Sequence, residues 1–205
     1  MKRFIVLLLA LSALGGLFAQ NIELPAPQKT GGMPLMEALA KRATGRSFEA
    51  RELSPLQLSN LLWAAFGVSR TDGRRTAPSA SNLQEHELYV LLKQGAFVYD
   101  AAKHVLRQVA TEDLRALGGK VAPVTLLFVA DLSKRSTGSV ESKKNIAAVD
   151  SGFISENIYL YCASEGLATG YRGGYDRGAL GPKLKLRSDQ EIIAAQSVGY
   201  PKAIE

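Results

Sequence analysis

Cysteine is nearly absent from this chain. Cys162 is the only one among 205 residues, which excludes an internal disulfide and a thiolate metal cluster. Histidine is almost as scarce. His86 and His104 stand far apart, without HxxxH or HExxH spacing, so no zinc enzyme and no metal site are expected. No GxGxxG segment follows a strand-like run, which removes the usual dinucleotide fingerprint. The net charge of +6 is scattered along the chain. No basic run is interleaved with aromatics, so nucleic acid is not an expected partner. The apolar run Phe4 to Leu14 is too short for a comfortable membrane span, so a cleaved segment is expected over an uncleaved anchor, and no stable membrane anchor is expected. There are no internal repeats, no low-complexity segments and no regular βαβ alternation, which argues against a doubly wound sheet.

What is present is an ordinary globular composition, 46% hydrophobic and 21% charged, long enough for one domain with a sizeable core. The first residues read as an export signal. Lys2 and Arg3 form a positive n-region, Phe4 to Leu14 an apolar h-region, and Gly15 to Ala19 a small-residue cleavage site. No cysteine lies near the cut, so a lipoprotein anchor is excluded. The expected organisation is a signal peptide over 1–19, an extended arm over 20–32 with Pro25 and Pro27, and one domain over 33–205. The expected location is periplasmic or secreted.

The domain is organised around the stretch from Lys143 to Asp176. Ile146, Val149, Phe153, Ile154, Ile158, Leu160 and Tyr161 recur at helical spacing without a proline, which predicts a long helix, apolar on most sides and therefore buried. Glu165-Gly166 ends it. Leu167 to Asp176, rich in glycine, reads as a connection that lets backbone approach a flat ligand. Asp176 caps a short helix closed by Gly181-Pro182. Earlier, Pro34 starts a helix to about Arg42, and Ser54-Pro55 starts another that Gly67 stops. Strands are expected over Glu87–Leu92, Ala96–Tyr99, His104–Val109, Val124–Val129 and Glu191–Val198. A short helix is expected from about Thr111 to Gly118-Gly119. The fold class is α+β, with helices packed on a central sheet.

Two further stretches carry chemistry. In Arg42-Ala43-Thr44-Gly45-Arg46-Ser47-Phe48, an extended backbone turns Arg42, Thr44 and Arg46 to one side. Two guanidiniums and a hydroxyl suit a phosphate; alone, the stretch also fits a solvated basic loop. In Thr76 to Gln84, a proline, small side chains, hydroxyls and an amide can meet the edge of a heteroaromatic ring, or simply form a capped turn.

Together, in order and spacing, these stretches resemble the FMN-dependent nitroreductase family. Arg42, Thr44, Arg46 and Phe48 match its R-x-[ST]-x-[RK]-x-F element, and Pro78, Ser79, Asn82 and Gln84 match its P-S-x-x-N-x-Q element. Gly166-Leu167 and Gly174-Tyr175-Asp176 match the turn and segment after its long helix, and Gly199-Tyr200-Pro201 its closing triplet. Phe97 to Asp100 and His104 to Leu106 look most like the branch that includes peptide azoline dehydrogenases. The resemblance implies a mostly antiparallel sheet, a homodimer with the long helix near its interface, and FMN as cofactor. Arg42, Thr44 and Arg46 would hold the phosphate, ribityl chain and pyrimidine side. Pro78, Ser79, Ala80 and Asn82 would reach the flavin from the partner subunit. Tyr171 and Arg172 would lie at the ring, and Gly173 and Gly174 would offer backbone amides to its N5 and O4 edge. Tyr99 and His104 are further candidates to face the ring.

The chain departs from the family pattern in three places. Gly173 stands where many relatives carry an acidic residue, Lys202 is the only basic group after the last strand, and no clear pyrimidine-contacting Asn or Lys lies between Arg107 and Lys120. The expected function is an exported oxidoreductase that moves hydride or electrons through FMN to or from a small nitro, quinone or azoline-like substrate. The alternative is a flavin-binding or interaction module on the same fold without significant turnover. Outside the cytoplasm nicotinamide donors are scarce, so an envelope redox partner, or a substrate that gives its hydride directly, is the expected donor.

Overall fold

Each helix of the computed structural model, which describes residues 20–203, begins and ends where local chemistry dictates. An extended arm leads in, with strand β1 (Ile22–Glu23) at its start. Helix α1 (Leu35–Lys41) follows Pro34, with Glu37 in its first turn and Lys41 in its last, the charges that complement a helix dipole. Helix α2 (Pro55–Phe66) opens on a capping box, in which the Ser54 side chain accepts from the Gln57 N–H and the Gln57 side chain accepts from the Ser54 N–H. Strands β2 (His86–Leu92), β3 (Gly95–Asp100), β4 (Val105–Ala110) and β5 (Val124–Asp131) come next. Helix α3 (Val140–Glu165) is capped by Ser139 and terminated by Gly166 in the left-handed region. Strand β6 (Ala168–Arg172), helix α4 (Arg177–Lys183) and strand β7 (Gln190–Gly199) complete the chain.

The strands form one sheet in the order β1-β4-β3-β2-β5-β7-β6, and its pairings are antiparallel. The expected α+β class and mostly antiparallel sheet are therefore observed. Period-2 alternation gives the sheet two apolar faces. On one face Leu88, Val90, Phe97, Leu106, Leu126 and Phe128 pack with α2 and with Ile154, Ile158 and Cys162 of α3. On the other, Tyr89, Leu91, Val98, Leu127 and Val129 meet Leu180 of α4 and Leu184 just after it. Val124–Asp131 is buried throughout, as the apolar run Leu126 to Ala130 required.

Four expectations need correction. Ala168–Arg172 is not a mere connection but an edge strand paired with β7, Thr169 opposite Val198 and Tyr171 opposite Gln196. Its partner lies far along the chain, and Gly170 hid the strand pattern. The helix expected from Thr111 is only a 3₁₀ turn over Arg115–Gly118. The Asp113 carboxylate accepts from the backbone and guanidinium of Arg115, a local bond that competes with helix. Helix α4 runs past Gly181-Pro182 to Lys183, because Pro182 removes one N–H in an already short helix. Finally, α3 is not buried all round. Ala147, Ser151, Ile154, Ser155, Ile158 and Cys162 face the core, while Val149 and Phe153 are 62% and 45% exposed in the single chain. The expected signal peptide over 1–19 lies outside the described residues.

Candidate functional site

The Arg42–Phe48 segment leaves α1 and runs beside β6. The Gly45 N–H donates to the Thr169 carbonyl at 2.9 Å. The approach is so close that a Cβ on Gly45 would stand 2.9 Å from the Ala168 Cβ, so only glycine fits. Further on, Lys202 N–H donates to Ser47 O, and Glu49 N–H to Tyr200 O. The segment is thus pinned at both ends and stays extended, which turns Arg42, Thr44 and Arg46 the same way.

Arg42 and Thr44 meet Tyr159 of α3, a residue that sequence reasoning passed over, while the Arg46 side chain runs beside Gly170. The Arg42 guanidinium lies 5.5 Å from the Tyr159 ring centroid. Thr44 Oγ1 is 3.1 Å from the Tyr159 hydroxyl, and the same hydroxyl accepts the Tyr171 N–H at 3.0 Å. Tyr171 lies along α3, its own hydroxyl 3.0 Å from Ser151 Oγ. Since Ser151 donates its one hydrogen to Ala148 O, Tyr171 must be the donor in that pair. Tyr159 falls on a helical position flanking the apolar stripe; that polar tip beside the core face was the available signal.

Arg172 points elsewhere in the same cluster. Its guanidinium donates to Gly118 O at 3.1 Å, to Lys120 O at 3.4 Å and to the Ser197 hydroxyl. Burial first, and the nearby charge of Arg46 second, hold it below the ordinary arginine value. Gly119, at φ +103°, passes so close that a Cβ would stand 2.8 Å from Gly174 O and 2.9 Å from Arg172 Nε. With Asp176 N–H bonded to Leu117 O, the Gly173-Gly174 segment is anchored at each end, while both glycines stay exposed with open space where a side chain would be. Among the described residues, no carboxylate lies within ion-pair distance of Arg42, Arg46 or Arg172. Three guanidiniums without counter-charge concentrate positive potential here, although Arg172 already donates to carbonyls of the fold.

The second motif forms a separate structure. Ser79 Oγ accepts the Gln84 N–H at 2.9 Å, and Gln84 Nε2 donates to Asn82 Oδ1 at 3.2 Å. Arg75 Nε holds Gln84 Oε1 at 2.9 Å. Ser81, Asn82 and Gln84 all sit in the left-handed region, a costly backbone for residues with side chains. The loop is tied to α3 where Ala80 N–H donates to Asp150 Oδ2 at 2.8 Å. Pro78 and Asn82 are exposed, Ser79 and Ala80 half-buried. No hydrogen bond or ion pair among the described residues joins Pro78, Ser79, Ala80 or Asn82 to Arg42, Thr44 or Arg46. Asp150 and Tyr159 are separated by about 13 Å along the helix axis, and Tyr171 reaches toward both ends of that interval.

Tyr99 and His104 lie outside this arrangement. Tyr99 OH is 2.8 Å from His104 Nδ1, His104 Nε2 is 2.7 Å from Ser59 Oγ, and Ser59 donates to Pro25 O at 2.6 Å. Ser59 spends its hydrogen on Pro25, so His104 carries its proton on Nε2 and accepts from Tyr99. This chain of bonds fastens the arm to α2 and the β3–β4 hairpin. A cavity of about 620 Å³ between Tyr89, Val98, Arg107, Leu184, Arg187 and Gln190 opens on the other side of the sheet and includes none of the motif residues.

The geometry agrees with likeness to known proteins. A crystal structure assigned as a nitroreductase, from Ralstonia eutropha JMP134, is 38% identical, covers 90% of each chain and superposes with a TM-score of 0.85. A protein of Methanocaldococcus jannaschii named as a nitroreductase is 24% identical over 182 residues, 82% of this chain and 90% of that one. The NADPH:FMN oxidoreductase of Vibrio harveyi, solved with NAD+, shares the fold at a TM-score of 0.60 and 20% identity, over 82% of this chain and 69% of that one. The model of the nitroreductase family matches residues 39–200. With a nitroreductase-like sheet and long central helix observed over that same span, the chain belongs to the nitroreductase family.

Proposed function

We propose that the protein is an FMN-dependent oxidoreductase of nitroreductase type. The observation that carries this reading is the uncompensated cluster of Arg42, Arg46 and Arg172 beside Thr44 and Tyr159, placed next to two exposed glycines at the end of β6. The donor set fits a flavin mononucleotide. Arg42, Thr44 and Arg46 would hold its phosphate and ribityl hydroxyls, and Tyr171, Gly173 and Gly174 would border its ring. The flavin supplies the redox chemistry when bound; the chain binds and orients it and leaves one side open for a small substrate. Structures named as an FMN-dependent nitroreductase of Clostridium difficile and as the NADPH:FMN oxidoreductase of Vibrio harveyi share this fold, which supports the cofactor assignment.

Homodimerisation belongs to the same proposal. Leu35, Met36 and Leu39 on α1 and Val149 and Phe153 on α3 are exposed apolar side chains on two helices that pack together. A second copy would cover them, and the family resemblance implies that its Pro78–Asn82 loop then completes the cofactor site. The domain over 33–205, the extended arm over 20–32 and the signal peptide over 1–19 stand as proposals too. So do a periplasmic or secreted location, the azoline-dehydrogenase likeness of the substrate, and an electron donor other than NAD(P)H. The test is direct. The purified protein should show flavin absorbance that bleaches with a reductant and returns with a nitro or quinone acceptor. Flavin that binds but does not cycle would favour the module without turnover, and no flavin binding would overturn the reading.

A further inference from the structure

Beneath the 78–84 loop lie two carboxyl groups that the cofactor site does not use. Glu85 and Asp150 are each only 3% exposed. Both Glu85 oxygens are buried without a donor among the described residues, an arrangement that needs an explanation. The nearest cation, Arg135, stands 3.9 Å from Glu85 Oε1 and is closer to Ala80 O, at 3.5 Å. Geometry places Asp150 beside Glu85: Asp150 Oδ2 takes the Ala80 N–H while Arg135 reaches both Ala80 O and Glu85 Oε1, and the next residue, His86, is bonded to Ala147 O, one turn before Asp150 on α3. The Asp150 carboxyl is an acceptor when charged. Two carboxylates in contact cannot both stay ionised away from water, so one must carry a proton.

We propose that Glu85 is a protonated positioning residue, whose carboxyl O–H, donated to Asp150, fixes the carboxylate that holds the Ala80 amide and so sets the 78–84 loop. Asp150 then has two donors, the Ala80 N–H at 2.8 Å and the Glu85 O–H. The surrounding charges agree. Burial first, then the bond to Asp150 and its charge, push the Glu85 carboxyl above the ordinary carboxylate range, against the opposing pulls of its own backbone N–H and, more weakly, of Arg135. His86 adds no positive charge. Its Nε2 is bonded to the Ala147 carbonyl, and burial, outweighing that bond and the Asp150 charge and joined by Lys134, holds the imidazole below the ordinary histidine value. Lys134 itself is occupied by Gln84 O at 2.9 Å. The loop depends on such a tether because Ser81, Asn82 and Gln84 hold left-handed backbone that would otherwise relax. One residue along α3, Ser151 holds the Tyr171 hydroxyl, so adjacent helix positions steady both candidate cofactor contacts.

The importance of the loop for cofactor binding rests on the proposed function, and the experiment separates the two. Infrared spectroscopy of the flavin-free protein in D2O at pH 7 should show a protonated-carboxyl band that Glu85→Gln removes. The Ala80 amide should exchange slowly in wild type and within about threefold of that in Glu85→Gln, whose NH2 donates the same bond. It should exchange at least about tenfold faster in Glu85→Ala, with Asp150→Asn as a second, isosteric variant should Glu85→Ala fail to fold. Because folding raises the Glu85 pKa, its stabilising bond is complete at acidic pH and is lost as pH climbs through the raised value. Wild type should therefore lose thermal stability relative to Glu85→Gln as pH rises. Absence of the band, or equal pH profiles for the two proteins, overturns the proposal whatever the flavin does. A band and a protected Ala80, with FMN affinity unchanged by Glu85→Ala, upholds the tether and overturns only the cofactor role of the loop.

Discussion

Two regions flank α3 and solve opposite electrostatic problems. At the β6 end, Arg42, Arg46 and Arg172 gather positive charge with no carboxylate beside it, much of it open to water. At the 78–85 loop, Glu85 and Asp150 gather acidic groups away from water and satisfy them with a backbone N–H and a proton. The difference teaches that charge left uncompensated at a surface waits for a ligand, whereas charge in the interior must be answered from within the fold. On the proposed function the first region binds, while the second holds shape.

The most disruptive way to break that contrast is Asp150→Ala. It leaves the Ala80 N–H and the Glu85 carboxyl without their partner inside the fold, and should destabilise the protein by about 3 kcal/mol in urea denaturation. A change under about 0.5 kcal/mol would mean that the acidic pair is not structural. Arg42→Ala should leave stability nearly unchanged but weaken FMN binding roughly tenfold to hundredfold, the equivalent of about 1.5–3 kcal/mol for a charge-assisted bond. Arg51→Ala, whose guanidinium packs on the Tyr200 ring outside the cluster, should matter less. Riboflavin, lacking the phosphate, should not distinguish Arg42→Ala from wild type in fluorescence titrations; equal losses for both ligands would reassign Arg42 to folding.

Tyr159→Phe sharpens the comparison further. It keeps the ring under Arg42 but removes the hydroxyl shared by Thr44 and the Tyr171 N–H. A loss of about 1 kcal/mol, roughly fivefold in FMN affinity, is expected by calorimetry. The smallest effect is in pH. Burial holds both His86 and His104 below the ordinary histidine value, so their neutral forms stabilise the fold. That contribution is present above about pH 6.5 and fades as pH falls below it, opposite in direction to Glu85. Thermal melts should show the acidic slope shrink in His104→Asn, which can keep the left-handed backbone at this position. An unchanged slope would place the effect on His86.

Much of this architecture was legible in the residues. Ser54-Pro55 and Gly67 bounded α2, Gly166 ended α3, and the apolar run over Val124–Val129 announced a buried strand, because caps, left-handed glycines and periodicity act over a few residues. Spacing was also enough to single out Arg42, Thr44 and Arg46, since alternation along an extended segment is a local rule. Tertiary structure alone decided the rest. Ala168–Arg172 became a strand only because β7 lay beside it. Tyr159 became the shared partner of two motifs only because α3 passes under β6. Glu85 and Asp150, 65 residues apart in the chain, became one proton-sharing pair only because the loop folds onto the helix. Local chemistry sets what a segment can form, whereas pairing, burial and proton affinity depend on neighbours that the linear chain does not place.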